Sequence, residues 1–271
     1  MSIVPRGTIL TRNGRYPRNG TFVISNFDGS GFREFLAPQG PEYFGQWGDM
    51  GPAWTADGNA FVFHDGDRGK RLFISDLNGV VRPFLTASIA GHYELWPTIT
   101  RDGQWAFFSR GATSELAVPW RAHADGSGAA ALARDHAGGA WHVSPSPDGS
   151  QLAYETFGCG DFEIRVLDIA SGISRAIACG RSPRWSPNSD LIAYVGAGVR
   201  LVHADGTGDR ILAPASNRYE LRLDWSPDGE WIVAFANHGS ILHLVRVESG
   251  LVLPLAFTQH LEQPAWRPLS P

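Results

Sequence analysis

The stretch RLDWSPDGEW at residues 222–231 places a Ser-Pro-Asp-Gly tetrapeptide between two tryptophans. These four residue types are typical of a tight hairpin turn. Pro presets the backbone at the second position, Asp tolerates the third, and Gly supplies a positive φ. Asp228 is therefore predicted to be a turn residue and not a catalytic carboxylate. Because a hairpin turn joins two strands, the stretch predicts a β-strand on either side of it.

The stretch recurs along the chain at nearly regular intervals. The six aligned copies are PAWTADG (52–58), PTITRDG (97–103), VSPSPDG (143–149), PRWSPNS (183–189), LDWSPDG (223–229) and PAWRPLS (264–270). Their starting positions are 45, 46, 40, 40 and 41 residues apart. A repeat of this length is typical of a propeller or a solenoid.

Each copy begins a unit of four predicted strands, A to D. An apolar strand follows the turn, and a third strand leads to a second turn such as DLNG (76–79), before a short fourth strand. Four antiparallel strands make one propeller blade. The sixth copy stops after strand A, and residues 7–36 supply strands B, C and D. We therefore predict an all-β fold: a six-bladed β-propeller of four-stranded antiparallel blades, closed by a split blade of residues 7–36 and 264–271 that removes the open edge.

Composition narrows the class of protein further. The chain has 271 residues, 32 Gly and 18 Pro, and only 18% of its residues are charged, which favours short strands and many turns over helices. We predict one domain spanning residues 1–271. The formal charge is −4 and no Lys/Arg run is present, so we expect neither nucleic acid nor a membrane surface as a partner. We also expect a monomer.

Two further expectations concern the cellular compartment. The first 20 residues have no apolar signal-peptide core, so as written the chain is expected in the cytoplasm. It is expected in the periplasm or outside the cell if a leader has been removed. Cys159 and Cys179 follow strands B and D of the same predicted blade and are separated by the width of strand C. Either loop curvature brings the two cysteines together so that they can oxidise, or they remain apart; we favour two separate reduced thiols.

The repeats resemble those of a known family. Copies of the form P-x-W-S-P-D-G followed by an apolar strand are similar to the WD-like propeller repeats of the TolB family, and all six copies fall in phase. The resemblance implies the fold and leaves the activity open. TolB proteins carry an extra N-terminal domain that is not seen here, so a role in the Tol-Pal complex does not transfer directly. Peptidases with related propellers carry a G-x-S-x-G nucleophile elbow, which this sequence lacks.

The predicted site lies at the axial mouth on one face of the ring. A–B and C–D turns share one face, whereas B–C and D–A loops share the other, and binding residues usually lie on such longer loops. The candidate side chains are aromatic, charged or amide groups of the D–A loops: Trp47, Asp49, Tyr93, Glu94, Trp96, His142, Arg181, Tyr219, Glu220, Arg222, His260, Glu262 and Gln263. Blades three apart face each other in a six-bladed ring, which places Glu94 opposite Glu220 and Trp96 opposite Arg222.

A mouth with aromatic faces and polar rims suits a peptide, a protein or a small polar ligand such as a sugar. The leading hypothesis is a non-enzymatic recognition propeller, for which no cofactor and no metal is predicted. Two alternatives stay open. The aromatic side chains plug the axis and the charges pair with each other, or the protein is a scaffold that uses its turn face or its outer D strands.

A carbohydrate-active enzyme is the rival hypothesis. Glu94 and Glu220 have the residue types of the acid/base pair of glycosidases, which need a separation of about 5–10 Å. A polysaccharide lyase would use His142 or Tyr219 as the base and Arg222 to neutralise charge. A metal site has weaker support. The pairs His92-x-Glu94 and His260-x-Glu262 each place two possible ligands on one side of a strand, without any further ligand pattern.

Overall fold

The computed structural model describes residues 7–13, 21–28, 30–35, 51–65, 71–132, 139–214, 219–236, 241–255 and 261–268. These residues form 24 β-strands in six antiparallel sheets of four strands each. No helix is present in this part of the chain. The chain is a six-bladed β-propeller, as the repeats predict.

Within blades 1 to 5 the strands follow chain order from the axis outwards. Blade 6, the split blade, begins the chain with β1 (Thr8–Asn13), β2 (Thr21–Asn26) and β3 (Arg33–Phe35). Blade 1 contains β4 (Ala53–Trp54), β5 (Ala60–His64), β6 (Leu72–Asp76) and β7 (Val81–Pro83). Blade 2 contains β8 (Tyr93–Ile99), β9 (Trp105–Gly111), β10 (Val118–His123) and β11 (Ala130–Ala131).

The remaining blades repeat this arrangement. Blade 3 contains β12 (Trp141–Pro145), β13 (Gln151–Gly158), β14 (Asp161–Asp168) and β15 (Ser174–Cys179). Blade 4 contains β16 (Arg181–Trp185), β17 (Leu191–Gly196), β18 (Gly198–His203) and β19 (Arg210–Pro214). Blade 5 contains β20 (Tyr219–Trp225), β21 (Trp231–Ala236), β22 (Ile241–Arg246) and β23 (Val252–Leu255).

The last strand, β24 (Leu261–Trp266), closes the ring. It pairs antiparallel with β1, with Ile9 opposite Trp266 and Leu10 opposite Ala265. The sheet order is β24-β1-β2-β3, so strand A of blade 6 comes from the C-terminal segment and strands B to D from the N-terminal segment. The predicted split blade is confirmed.

The Ser-Pro-Asp-Gly stretch forms the A–B turn of blade 5. The Ser226 hydroxyl donates to the Asp228 carboxylate and accepts the Trp231 N–H at 2.9 Å. Gly229 has a φ of 75° and its N–H donates to the Ser226 carbonyl. Asp228 also accepts the Glu230 N–H at 2.9 Å. The Asp228 carboxylate is therefore bonded within its own turn, and Asp228 is a turn residue as the sequence predicts.

The core lies between neighbouring blades. The tryptophan at the repeat position of strand A is almost fully buried in four blades: Trp54, Trp185, Trp225 and Trp266 are 5–8% exposed. The Trp225 indole N–H donates to the carbonyl of Arg184 in blade 4, and the Trp54 indole N–H donates to that of Ala265 in blade 6. Trp225 and Trp54 therefore each join their own blade to the preceding one, by packing and by a hydrogen bond.

The structure corrects the prediction of separate thiols, because Cys159 and Cys179 form a disulfide with a Cα–Cα distance of 5.8 Å. Gly158 pairs with Asp161, so Cys159 and Gly160 form a two-residue hairpin turn, both with positive φ. This tight turn keeps Cys159 beside the start of β14. Cys179 lies opposite Glu163 on the adjacent strand. The distance to bridge is thus about one strand spacing, which a disulfide can span.

Candidate functional site

A repeated backbone bulge shapes the axial end of the A strands. The residue three before the Trp54 position lies in the left-handed region in four blades, with φ of 40° at Gly51, 49° at Trp96, 52° at His142 and 52° at Ser182. The pairing of strands A and B shifts register beside this position in blades 2, 3 and 4. Because a bulge re-aims its side chain, this position can present a side chain to the axis.

Three large side chains at the position three residues before the tryptophan, those of Trp96, His142 and Arg222, pack together near the axis. The rings of Trp96 and His142 lie 5.0 Å apart between centroids. A Cβ added to Gly51 would lie 3.5 Å from both Arg222 Nη1 and Trp96 Cδ1, so Arg222 and Trp96 converge on Gly51. His142 is 4% exposed and Arg222 is 6% exposed. We call Trp96, His142 and Arg222 the axial plug, since they pack where the sequence predicts an open mouth.

A buried carboxylate holds the plug in place. His142 Nδ1 lies 2.8 Å from Glu155 Oε2, which also accepts the Ser182 N–H at 2.7 Å. Burial raises the pKa of Glu155, but the interactions with His142 and the Ser182 amide outweigh burial and leave the pKa below its usual value. The His142 ring is therefore oriented by an ionised carboxylate from within the ring of blades.

Glu94 does not lie at an open mouth. Its side chain is 1% exposed, and its carboxylate accepts Arg110 Nη2 at 2.8 Å and the Leu72 N–H at 3.2 Å. Arg110 also lies over the Trp120 ring at 4.6 Å. This places Glu94 in a buried ion pair between blades 1 and 2, and its role as a ligand-binding side chain stays a prediction.

Arg181 lies in an exposed aromatic cluster on the same face. Its guanidinium binds both oxygens of Asp161, at 2.7 and 2.9 Å, and lies 3.8 Å from the Phe162 ring centroid. Phe157 is 54% exposed and its ring centroid lies 5.2 Å from that of Phe162 and 4.7 Å from that of Trp141. We call Trp141, Phe157, Phe162 and Arg181 the blade-3 patch. The Cys159–Cys179 disulfide holds the turn that carries it.

The other predicted residues are placed only in part. Tyr93 begins β8 and is half-buried. Trp47, Asp49 and His260 lie outside the described residues. Tyr219, Glu220, Glu262 and Gln263 lie on β20 and β24, but the structure does not describe their side chains. The proposed pairing of Glu94 with Glu220 therefore has no measured separation.

The described ranges contain no group of three or more His, Cys, Asp and Glu side chains arranged to hold a metal ion. They also contain no helix with the length and hydropathy to span a bilayer.

A cavity of about 200 Å³ lies on the axis, towards the opposite face. It is lined by strand A and the A–B turn of all six blades. Pro52, Pro97 and Pro264, which directly follow the bulge position, form its inner end beside the axial plug. Its outer rim is formed by residues of the A–B turns: Ala56, Arg101, Pro147, Pro187, Pro227 and Pro268. The cavity therefore opens on the turn face, on the opposite side of the ring from the predicted axial mouth.

The middle of the cavity carries two charges and two hydroxyls. The residue before each strand-A tryptophan position lines it: Ala53, Thr98, Ser144, Arg184, Asp224 and Ala265. The Asp224 carboxylate accepts the Trp266 N–H at 2.7 Å, and the Ser144 hydroxyl accepts the Trp185 N–H at 2.9 Å. Desolvation by burial raises the pKa of Asp224, although Arg184 and backbone donors act in the other direction.

Arg101 spans one side of the opening. Its Nη1 donates to Asn188 Oδ1 at 2.7 Å and to the Pro187 carbonyl at 3.4 Å. Arg101 belongs to the A–B turn of blade 2 and Asn188 to that of blade 4, so the bond passes across the inner side of blade 3. Asn188 continues the chain of contacts by donating to the Asp228 carbonyl in blade 5.

Comparisons with known proteins agree with this architecture. No family model matches the chain. TolB from Acinetobacter baumannii superposes with a TM-score of 0.79 at 19% identity, covering 97% of this chain and 67% of that one. The fold is that of a TolB-like propeller. A nidogen/laminin complex superposes with a TM-score of 0.70 at 10% identity, covering 98% of this chain and 99% of that one.

Two other similarities are more limited. An oligogalacturonate lyase in complex with manganese superposes with a TM-score of 0.57 at 16% identity, covering 93% of this chain and 73% of that one. The protein Atu1656 of Agrobacterium fabrum, which is uncharacterised, is 26% identical over 158 residues, covering 52% of this chain and 53% of that protein. The chain thus spans about half the length of that relative. These likenesses concern the fold and leave the activity open.

Proposed function

We propose that the protein is a non-enzymatic recognition propeller that binds a peptide or a protein at its loop-rich face. The observation that carries the proposal is the blade-3 patch, in which exposed Phe157 and half-buried Phe162 lie close to Arg181. Aromatic side chains and arginine are the residue types enriched at binding hot spots. The patch is held by a disulfide-linked turn, so its contacts need little reordering on binding.

The axial plug supports binding more than turnover at this face. Trp96, His142 and Arg222 pack together, and His142 is held by buried Glu155. Glu94 is engaged by Arg110, so the carboxylate of the predicted glycosidase pair is committed to a structural contact. The likeness to TolB and to a propeller solved as a nidogen/laminin complex supports a protein or peptide as the partner.

A peptide-display selection against the immobilised protein tests the proposal. We expect selected peptides to bind, and Phe157→Ala and Arg181→Ala each to weaken that binding at least about tenfold. Ile173→Ala is the matched control, because Ile173 is 71% exposed in the same blade but lies on the turn face. A selection without binders, or equal losses in the control and the patch variants, would contradict the proposal.

The carbohydrate-active alternative has its own test. The likeness to the oligogalacturonate lyase is its support. The wild-type protein is incubated with pectic oligosaccharides, with and without Mn²⁺, and unsaturated products are followed by absorbance. We expect no turnover. Turnover that is lost in His142→Gln and Arg222→Gln would replace the recognition hypothesis with a lyase.

The disulfide supports a proposal about compartment. Disulfides persist in oxidising compartments and are rare in the cytoplasm of most organisms. We propose that the protein matures in the periplasm or outside the cell, in place of the cytoplasmic location expected from the first residues. Trapping of free thiols in cell extracts checks this, since a fully alkylated Cys159 and Cys179 would contradict it.

A further inference from the structure

We propose that the axial cavity on the turn face binds a free α-amino acid, with Asp224 holding its ammonium group and Arg184 its carboxylate. This site is separate from the loop-rich face of the proposed function. It lies on the other side of the axial plug and shares none of the blade-3 patch residues.

The size of the cavity matches a single small molecule. A cavity of about 150 Å³ in a protein core accepts benzene, and the axial cavity is about 200 Å³. The axial plug packs at its inner end, so a ligand must enter and leave through the rim of A–B turns. Such a blind cavity suits a compact ligand and excludes a polypeptide threaded through the ring.

The charges of the cavity match a zwitterion. Asp224 and Arg184 occupy the same position of neighbouring A strands, in blades 5 and 4, and both are half-buried in the wall. Asp224 lines the cavity and accepts the Trp266 N–H; burial raises the pKa of its carboxyl, and an ammonium group would restore hydrogen bonds to the carboxylate. A guanidinium is the preferred partner of a carboxylate because its donors match both oxygens. Thr98 and Ser144 add hydroxyls at the same level.

The rest of the wall suits an apolar side chain. The prolines at both ends and the edges of Trp54, Trp225 and Trp266 are apolar, and the indole N–H of Trp54 and of Trp225 is already bonded to a neighbouring blade. Ala53 and Ala265 are the smallest residues at the charged level and lie on adjacent blades. The free space therefore lies beside these alanines, facing Arg184 and Ser144 across the ring.

The charge of the turn face favours a ligand that presents an ammonium group. The A–B and C–D turns between residues 26 and 251, counted with the strand residues that border them, carry 13 carboxylates and four guanidinium groups, those of Arg33, Arg101, Arg210 and Arg246. The carboxylates are those of Asp28, Asp57, Asp76, Asp102, Asp125, Asp148, Asp168, Asp190, Asp205, Asp209, Asp228, Glu230 and Glu248. A ring of like charge raises the local concentration of cations and opposes anions. A zwitterion or an amine is thus favoured over a dicarboxylate.

Isothermal titration calorimetry on the full chain tests the proposal, with each of the 20 common amino acids as the probe. We expect at least one apolar amino acid to bind. Its N-acetyl and methyl-ester forms should bind at least about tenfold more weakly, because each removes one charge. Asp224→Asn should cause a similar loss. That variant keeps an oxygen for the Trp266 N–H, so the fold is retained.

Two further variants keep the outcome unambiguous. Ala53→Met fills the cavity without changing its charge and should abolish binding even if Asp224→Asn fails to fold. Arg181→Ala alters the loop-rich face and should leave amino-acid binding unchanged, so a failure here is distinguishable from a failure of the peptide-binding proposal. The proposal is overturned if no amino acid binds at about 10 mM, or if blocked and free forms bind equally. Binding that survives both cavity variants would overturn it as well.

Discussion

Removing the Cys159–Cys179 disulfide should destabilise the propeller by a predictable amount. The two cysteines are 20 residues apart in sequence, so the bond closes a loop of about 21 residues. For a loop of that length, the chain-entropy relation gives about 3 kcal/mol at 25 °C. In a chain of this size, a loss of that magnitude lowers the melting temperature by roughly 5–10 °C.

Guanidinium unfolding of the wild type, with and without dithiothreitol, measures this loss directly. We expect a lower midpoint in the reductant and an unchanged midpoint for Cys159→Ser/Cys179→Ser under the same two conditions. Mass spectrometry after alkylation reports whether the bond is present. Identical wild-type midpoints in the two buffers, with reduction verified, would refute the reasoning.

The turn provides a matched comparison within the same experiment. Cys159 has a φ of 52° and Gly160 a φ of 82°, the two positive values of a type I′ turn, for which Asn-Gly is a preferred pair. Asn tolerates the left-handed region better than Ser, so Cys159→Asn/Cys179→Ser should be more stable than Cys159→Ser/Cys179→Ser by about 1 kcal/mol. Equal stabilities would show that the turn is not under this constraint once the bond is removed.

Three other changes test separate parts of the structure. Glu94→Gln should cost about 3–5 kcal/mol in urea unfolding, because it leaves the buried Arg110 charge without its carboxylate partner. Ser226→Ala should cost about 1–3 kcal/mol, because it removes a buried hydroxyl that both donates and accepts, whereas Ser249→Ala, on an exposed turn, should stay within about 0.5 kcal/mol. The pKa of Glu155 is lower in the folded protein than its ordinary value of 4.5. The stability that this contributes is present above pH 4.5 and is lost as the pH falls through the pKa of the folded state. Glu155→Gln should therefore make the unfolding midpoint depend less on pH between about pH 7 and 3.

The architecture could be predicted because turn chemistry is local. Each Ser-Pro-Asp-Gly copy specifies a hairpin by the conformations its own residues allow, and the spacing of the copies counts the blades. The missing strands of the last copy were found at residues 7–36 because a ring must pair its open edge, as β24 and β1 do. No contact between distant side chains was needed for either inference.

The site was predicted less well because it depends on where side chains point. The register shift in strand A aims Trp96 and His142 at the axis, and a bulge of this kind has no residue signature in the sequence. The sequence places Glu94 near the mouth, but it does not show that Arg110, 16 positions away on β9, binds its carboxylate. The disulfide was missed because a two-residue turn brings Cys159 back to the strand that borders Cys179. The cavity on the turn face is lined by strand A and short A–B turns, whereas binding residues are usually expected on long loops.

The opposite ends of the axis differ because of side-chain size at two positions of strand A. Three residues before the tryptophan position, Trp96, His142 and Arg222 are large side chains that pack together near the axis. One residue before it, Ala53 and Ala265 are small, and a cavity lies at this level. The packed end can therefore serve as a rigid base for contacts made by loops, whereas the open end can enclose a small molecule. Because the plug separates them, a substitution in the blade-3 patch and one at Asp224 should act independently on binding at the two faces.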